Sequence, residues 1–268
     1  MMSSSQQDGK DRLSRAIGFP LTRLVLCFGG WLLLFLLLGT NNPISQILNL
    51  SPWGFVLEAK PLDYLVCIGG PLLTFILALA LLVVGVGSVR AKKALFSDPL
   101  LDHLFKKPQL ETPQTLIAFI LLFVLVRVAG ELLAVFLPPA LIPETPLVLA
   151  DFQFDTPELG VAVGLQQLFF MALHLLIVLA PLSLAVQSSL LDKAGMWRWP
   201  CVGLWLLIAG SLVEFTPLTG TFVYCALAYG PSRVLCGWYF LRTGDFARTV
   251  FFAWVIEEVL GFAFYFLV

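Results

Sequence analysis

Charged side chains are so sparse here that seven long stretches proceed almost wholly on apolar residues, at 20–39, 64–89, 115–137, 161–186, 200–214, 221–241 and 246–268. A helix crossing the hydrocarbon core needs about 20 such residues, at a rise of 1.5 Å each. The runs are continuous rather than alternating, which points to helices and away from membrane strands. The chain is 59% hydrophobic and only 12% charged, whereas soluble domains carry about 25% charged residues. Its polar side chains could not cover a globule of 268 residues. That excludes a soluble enzyme and a disordered tail protein. A net charge of −1 supplies no basic field for nucleic acid. The fold class expected is all-α: a polytopic transmembrane helix bundle of about seven spans in a lipid bilayer. The fifth run is short and is separated from the sixth by Pro217 and Gly220, so that pair reads as a tight hairpin. Counts of six or eight spans stay open.

Loop charge sets the expected topology. Lys10, Arg12, Arg15 and Arg23 lie before or at the edge of the first run, and Arg90, Lys92, Lys93, Lys106 and Lys107 follow the second. Lys193 and Arg198 follow the fourth, and Arg242 and Arg248 follow the sixth. The loops between hold only Lys60, and the third is acidic, with Glu144, Asp151, Asp155 and Glu158. Thirteen of the sixteen basic residues therefore share one side, which the positive-inside rule makes cytoplasmic. The N-terminus is expected inside and the C-terminus outside, an arrangement that requires an odd number of spans. Residues 1–19 read as a polar, basic tail, and 20–268 as one membrane domain that opens with a signal anchor rather than a cleaved leader. A bacterial inner membrane, or its organellar equivalent, suits this layout. The five cysteines (Cys27, Cys67, Cys201, Cys225, Cys236) sit in apolar runs without CxxC spacing and read as packing residues.

Ionisable residues at membrane depth face the protein interior or a polar cavity. Arg127 and Glu131 are four apart on one helical face and can pair, which makes them a structural charge pair or part of a relay. His174 lies within the fourth run; His103 lies in a loop. An imidazole there can ligate zinc or the metal of a tetrapyrrole (haem or chlorophyll), or hydrogen-bond a neighbouring helix. Glu214 closes the fifth run, and Glu257 and Glu258 lie midway along the last. Adjacent helical residues point about 100° apart, so one of those two acids is expected inward, towards Arg233 or His174, and the other elsewhere. Carboxylates and one histidine are also the raw material of a metal site or general base. The aromatic load, 23 Phe and 7 Trp, suits a lipid-facing surface, a partner helix or a bound isoprenoid. Trp197 and Trp199 fit a cytoplasmic interface.

The stretch Gly237-Trp-Tyr-Phe-Leu-Arg-Thr-Gly244, followed by Asp-Phe-Ala-Arg-Thr-Val-Phe-Phe-Ala-Trp-Val-Ile-Glu257, resembles the end of the CAAX-protease and bacteriocin-processing (CPBP, or Abi) family. In that family a helix ending in Arg-Thr-Gly is followed by a short turn and a helix bearing H-x-x-x-N. The resemblance implies an intramembrane metal-dependent endopeptidase scaffold, with earlier E-E-x-x-x-R and F-x-x-x-H motifs. The catalytic letters differ in this chain. Ala253 stands at the family histidine, Glu257 at the asparagine, and Glu214 near the second histidine. Residues 180–191, where the acidic motif belongs, contain neither acid nor arginine. Phe170-Met-Ala-Leu-His174 spells F-x-x-x-H but precedes that segment, and Phe262 stands where an arginine should follow Glu257-Glu258.

The resemblance therefore implies a degenerate member: a non-catalytic accessory or scaffolding subunit, without cofactor, held among membrane-protein partner chains. One alternative is an active metal-dependent intramembrane endopeptidase built from Glu257, Glu258, Glu214 and His174, with zinc held by His174 and Glu257. Another is a pigment-, haem- or quinone-binding subunit with His174 as axial ligand.

Overall fold

A computed structural model of the chain describes residues 25–26, 29–30, 72–73, 75–81, 113–142, 157–187, 195–214 and 221–267. All regular structure among them is helical. The main helices are α1 (Pro113–Ala134), α2 (Pro157–Gln187), α3 (Arg198–Glu214), α4 (Phe222–Ala228), α5 (Gly230–Thr243) and α6 (Phe246–Leu267). Short 3₁₀ turns lie at Pro139–Leu141 and Gly195–Trp197. By length and composition three helical segments can cross a membrane, Pro113–Ala134, Gly164–Ser183 and Gly195–Glu214. The tail 1–19, the basic loops around 90–107, the acidic loop around 144–156 and most of the first two runs lie outside the described residues, as do His103 and Lys193.

Helix α2 is the most deeply buried of the three candidate spans. From Phe170 to Ser183 every side chain is buried except His174, as befits a helix that is apolar all round. Helix α1 is two-faced instead. Phe119, Phe123, Arg127, Gly130 and Ala134 are buried at helical spacing, while Ile117, Leu121, Leu125 and Leu132 are each more than half exposed. A leucine stripe in the open is what a hydrocarbon environment accepts. The α-helix ends at Ala134, earlier than the apolar run to 137, because Pro138 and Pro139 supply no N–H to continue it. The last turn tightens instead, with Phe136 N donating to Leu133 O and Leu137 N to Ala134 O.

The run at 221–241, expected as one span, is two helices joined at Tyr229. Pro231 is the physical cause: it offers no N–H to the Leu227 carbonyl and its ring clashes with the preceding turn. Thr221 caps α4, accepting from Tyr224 N at 3.4 Å and donating to Leu141 O at 3.0 Å, which ties the α1 exit to the α4 entry.

Helices α1 and α3 each pack antiparallel to α5. In the α1–α5 pair Phe119 stacks on Tyr239, while Gly130 meets Ala228 at the α4 end. In the α3–α5 pair Gly210 lies against Arg233, and Leu206 against Gly237. At Gly130 a Cβ would strike the Leu227 carbonyl oxygen, and at Gly210 it would strike the Arg233 side chain. Small residues thus bring these backbones together, as is common between membrane helices.

The turn from α5 into α6 accounts for the Thr-Gly-Asp string. Gly244 adopts φ 69° and donates its N–H to Phe240 O at 2.7 Å, a left-handed C-terminal cap that glycine accepts without strain. Asp245 then caps α6 by accepting from Arg248 N at 2.9 Å. Thr243 Oγ1 donates to Tyr239 O and accepts from Asp245 N, linking the two caps.

Candidate functional site

The ionisable residues at the middle of the bundle form one chain of alternating charge. Helix α1 places Glu131 and Arg127 one turn apart, with Arg127 Nη1 2.6 Å from Glu131 Oε1. Arg127 Nε donates to both oxygens of Glu257 on α6, at 2.9 and 3.2 Å. Glu257 Oε1 lies 3.8 Å from Nη1 of Arg233 on α5. Arg233 in turn donates through Nη2 and Nε to Glu214 Oε1 on α3, at 2.5 and 2.9 Å. The same oxygen lies 3.1 Å from His174 Nδ1 on α2. Five long helices each contribute at least one member.

Both guanidinium groups are almost completely buried, at 2% side-chain exposure. Burying a charge costs several kcal/mol (roughly) unless a partner offsets the desolvation. Here each arginine touches two carboxylates and each carboxylate meets a cation. Arg127 has further partners at the α4–α5 break. It donates to Ala228 O at 3.2 Å, and its Cζ sits 4.1 Å from the centroid of the Tyr229 ring, a cation–π contact. Tyr224 on α4 donates its hydroxyl to Glu131 Oε2 at 3.1 Å. The break at Pro231 is therefore locked by α1 through Gly130 and Arg127 together.

Sequence reasoning treated Arg127 and Glu131 as a pair; in the fold they are two members of a six-residue array. It missed Tyr224 and Tyr229, whose positions depend on the Gly230-Pro231 break. That dipeptide was the available signal. It left open which acid of Glu257-Glu258 turns inward, and the fold assigns Glu257. Glu258 accepts from Trp254 Nε1 on its own helix at 3.0 Å and does not join the array. The four residues considered for a catalytic site are thus divided: Glu214 and His174 touch, Glu257 is separated from them by the Arg233 guanidinium, and Glu258 stands apart.

The donor set does not fit a zinc centre among the described residues, where no three His, Cys, Asp or Glu side chains are grouped to hold a metal. Among the described residues His174 is the one imidazole. Glu214, engaged by Arg233, is an acceptor, so the Nδ1 that faces it carries the hydrogen. The remaining Nε2 is buried and has no hydrogen-bond partner among the described residues. A carboxylate on one imidazole nitrogen and an unused second nitrogen is the orientation metal-binding histidines adopt.

Of the described cysteines, Cys225 and Cys236 are buried and Cys201 is exposed, none in a disulfide. Ala253 is fully buried in the apolar core. Comparison with protein-family models, with curated proteins and with solved structures finds no match for this chain.

Proposed function

We propose that the chain is a non-catalytic, CPBP-like integral membrane protein of seven spans, serving as an accessory or scaffolding subunit of a larger membrane assembly. The observation that carries this reading is the charge array. The acids a hydrolytic site would draw on, Glu214 and Glu257, are each engaged by buried arginines, and a metal-dependent hydrolase needs typically three ligands, an open position and a base. Such an array suits helix positioning, since it joins α1, α2, α3, α5 and α6 at one level. The exposed leucine stripe of α1 supplies a surface for lipid or for a partner helix. Orientation follows the basic loops, with the N-terminus cytoplasmic, in a bacterial inner membrane or an organellar equivalent.

The test is metal content and peptide cleavage by the purified protein, beside Glu257→Gln and His174→Ala, together with cross-linking in mild detergent. Co-purification of a stoichiometric membrane-protein partner with no cleavage is the expected result. Stoichiometric zinc, with cleavage abolished by either substitution, would replace this reading with the intramembrane endopeptidase.

A second reading rests on His174 Nε2. In it the chain is a subunit whose imidazole is the axial ligand of a tetrapyrrole. Visible absorbance of protein purified from its native membrane, lost in His174→Ala, would establish it; a colourless native preparation would end it.

A further inference from the structure

The antiparallel contact of α3 and α5 leaves a groove at the end of the bundle where α3 begins and α5 ends. Its volume is about 390 Å³, and its wall includes Val202, Leu206, Val234 and Leu241. Gly203 lies in the floor, where an added Cβ would meet nothing within 4 Å. The apolar wall reaches a polar mouth formed by Trp199, Trp238 and Arg242. Arg242 places its Cζ 5.8 Å from the centroid of Trp238, and among the described residues it has no ion-pair partner. Arg198 stacks in the same way on Trp199 at the same end. Asp245 is no competitor for Arg242, because it is engaged by Arg248 at 3.2 Å.

Each part of this groove has a counterpart in one kind of molecule. Indole rings favour the headgroup level of a bilayer. A guanidinium held there by an aromatic face presents its N–H fork to a phosphate. The rest of the groove is lined by apolar side chains and widened by the missing side chain at Gly203. Basic pockets between membrane helices on the cytoplasmic side are where anionic headgroups bind. Charge complementarity therefore selects the occupant: an anionic phospholipid rather than a zwitterionic one or an apolar helix. We propose that the α3–α5 groove is a specific site for an anionic phospholipid, its phosphate on Arg242 between Trp199 and Trp238 and one acyl chain along Gly203 and Leu206.

Native mass spectrometry of detergent-purified protein, titrated separately with phosphatidylglycerol and phosphatidylcholine of identical chains, tests this directly. The wild type should retain phosphatidylglycerol in preference to phosphatidylcholine. Arg242→Gln should weaken phosphatidylglycerol on the order of fivefold, the worth of one basic residue at a headgroup, and leave phosphatidylcholine unchanged. Arg242→Lys should keep most of the preference. Gly203→Phe fills the groove and should reduce both lipids, with an unchanged thermal midpoint showing that the bundle is intact. Arg242 is exposed and Gly203 faces open space, so neither change opens a cavity in the core. Equal retention of the two lipids by the wild type, or a preference that survives Arg242→Gln, would overturn the assignment.

Discussion

Arg127 and Glu257 stand 130 positions apart in the chain, yet the Nε of one donates to both carboxylate oxygens of the other. That single guanidinium also binds Glu131 and the Ala228 carbonyl. It therefore holds α1 against α6 and against the broken segment α4–α5. Its loss should have a graded cost. Arg127→Leu takes the cation from Glu131 and leaves Glu257 only its 3.8 Å contact with Arg233, and breaking a buried pair costs about 3–5 kcal/mol. Adding Glu131→Leu removes the first of these carboxylates, and replacing Glu257 by Gln as well removes the charge of the second. Folded, monodisperse yield in detergent should rise in that order from single to double to triple variant. Equal yields across the series would mean that the array does not determine stability.

Gly130→Ala probes the same junction without touching charge. A Cβ there would strike the Leu227 carbonyl oxygen, which is backbone and cannot rotate aside. Overpacking of this kind costs about 1–3 kcal/mol. A lowered thermal midpoint is expected, larger than for Gly203→Ala, whose Cβ meets nothing. A comparable midpoint for both variants would show that α1 and α4 are not pressed together at this point.

The turn between α5 and α6 makes a local prediction. Asp245→Ala removes the acceptor for Arg248 N, and losing such a cap costs about 1 kcal/mol. Asp245→Asn or Asp245→Ser should recover most of it, since each offers a side-chain oxygen in the same place. Unfolding in graded denaturant measures both. No loss with alanine would mean that the α6 N-terminus is satisfied by other means.

What could be read in advance follows from the range over which each cause acts. Apolar length and charge scarcity act along the chain, so helices at 113–134, 157–187, 198–214 and 246–267 were expected within a few residues of their observed bounds. The Arg127–Glu131 proximity is likewise local, one turn of helix. The break at Tyr229 was also local, written in Gly230-Pro231, but the apolar character of 221–241 concealed it. The links from Arg127 to Glu257 and from Arg233 to Glu214 depend on which helix faces which, and a single sequence carries no pairing signal for that. His174 was singled out for being a histidine in an apolar run. Its contact with Glu214, which gives it an oriented imidazole, appears only when α2 and α3 are packed.

Topology is the broadest prediction, and packing makes it a single choice. Antiparallel contacts of α1 with α5 and of α3 with α5 put the start of α1, the start of α3 and the end of α5 at one end of the bundle. Fixing the side of any one of these ends fixes the others. Arg198 and Arg242 stand at that end, Lys106 and Lys107 precede α1 in the chain, and by the positive-inside rule this end is expected in the cytoplasm. The acidic residues Glu144, Asp151 and Asp155 follow α1 in the chain and are expected on the other side. In a background whose native cysteines are replaced, Asp151→Cys should react with an impermeant maleimide added to intact cells, while Lys106→Cys should react only after permeabilisation. The reverse pattern would invert the whole bundle. Labelling of both positions from outside would mean that the run 115–137 does not cross the membrane.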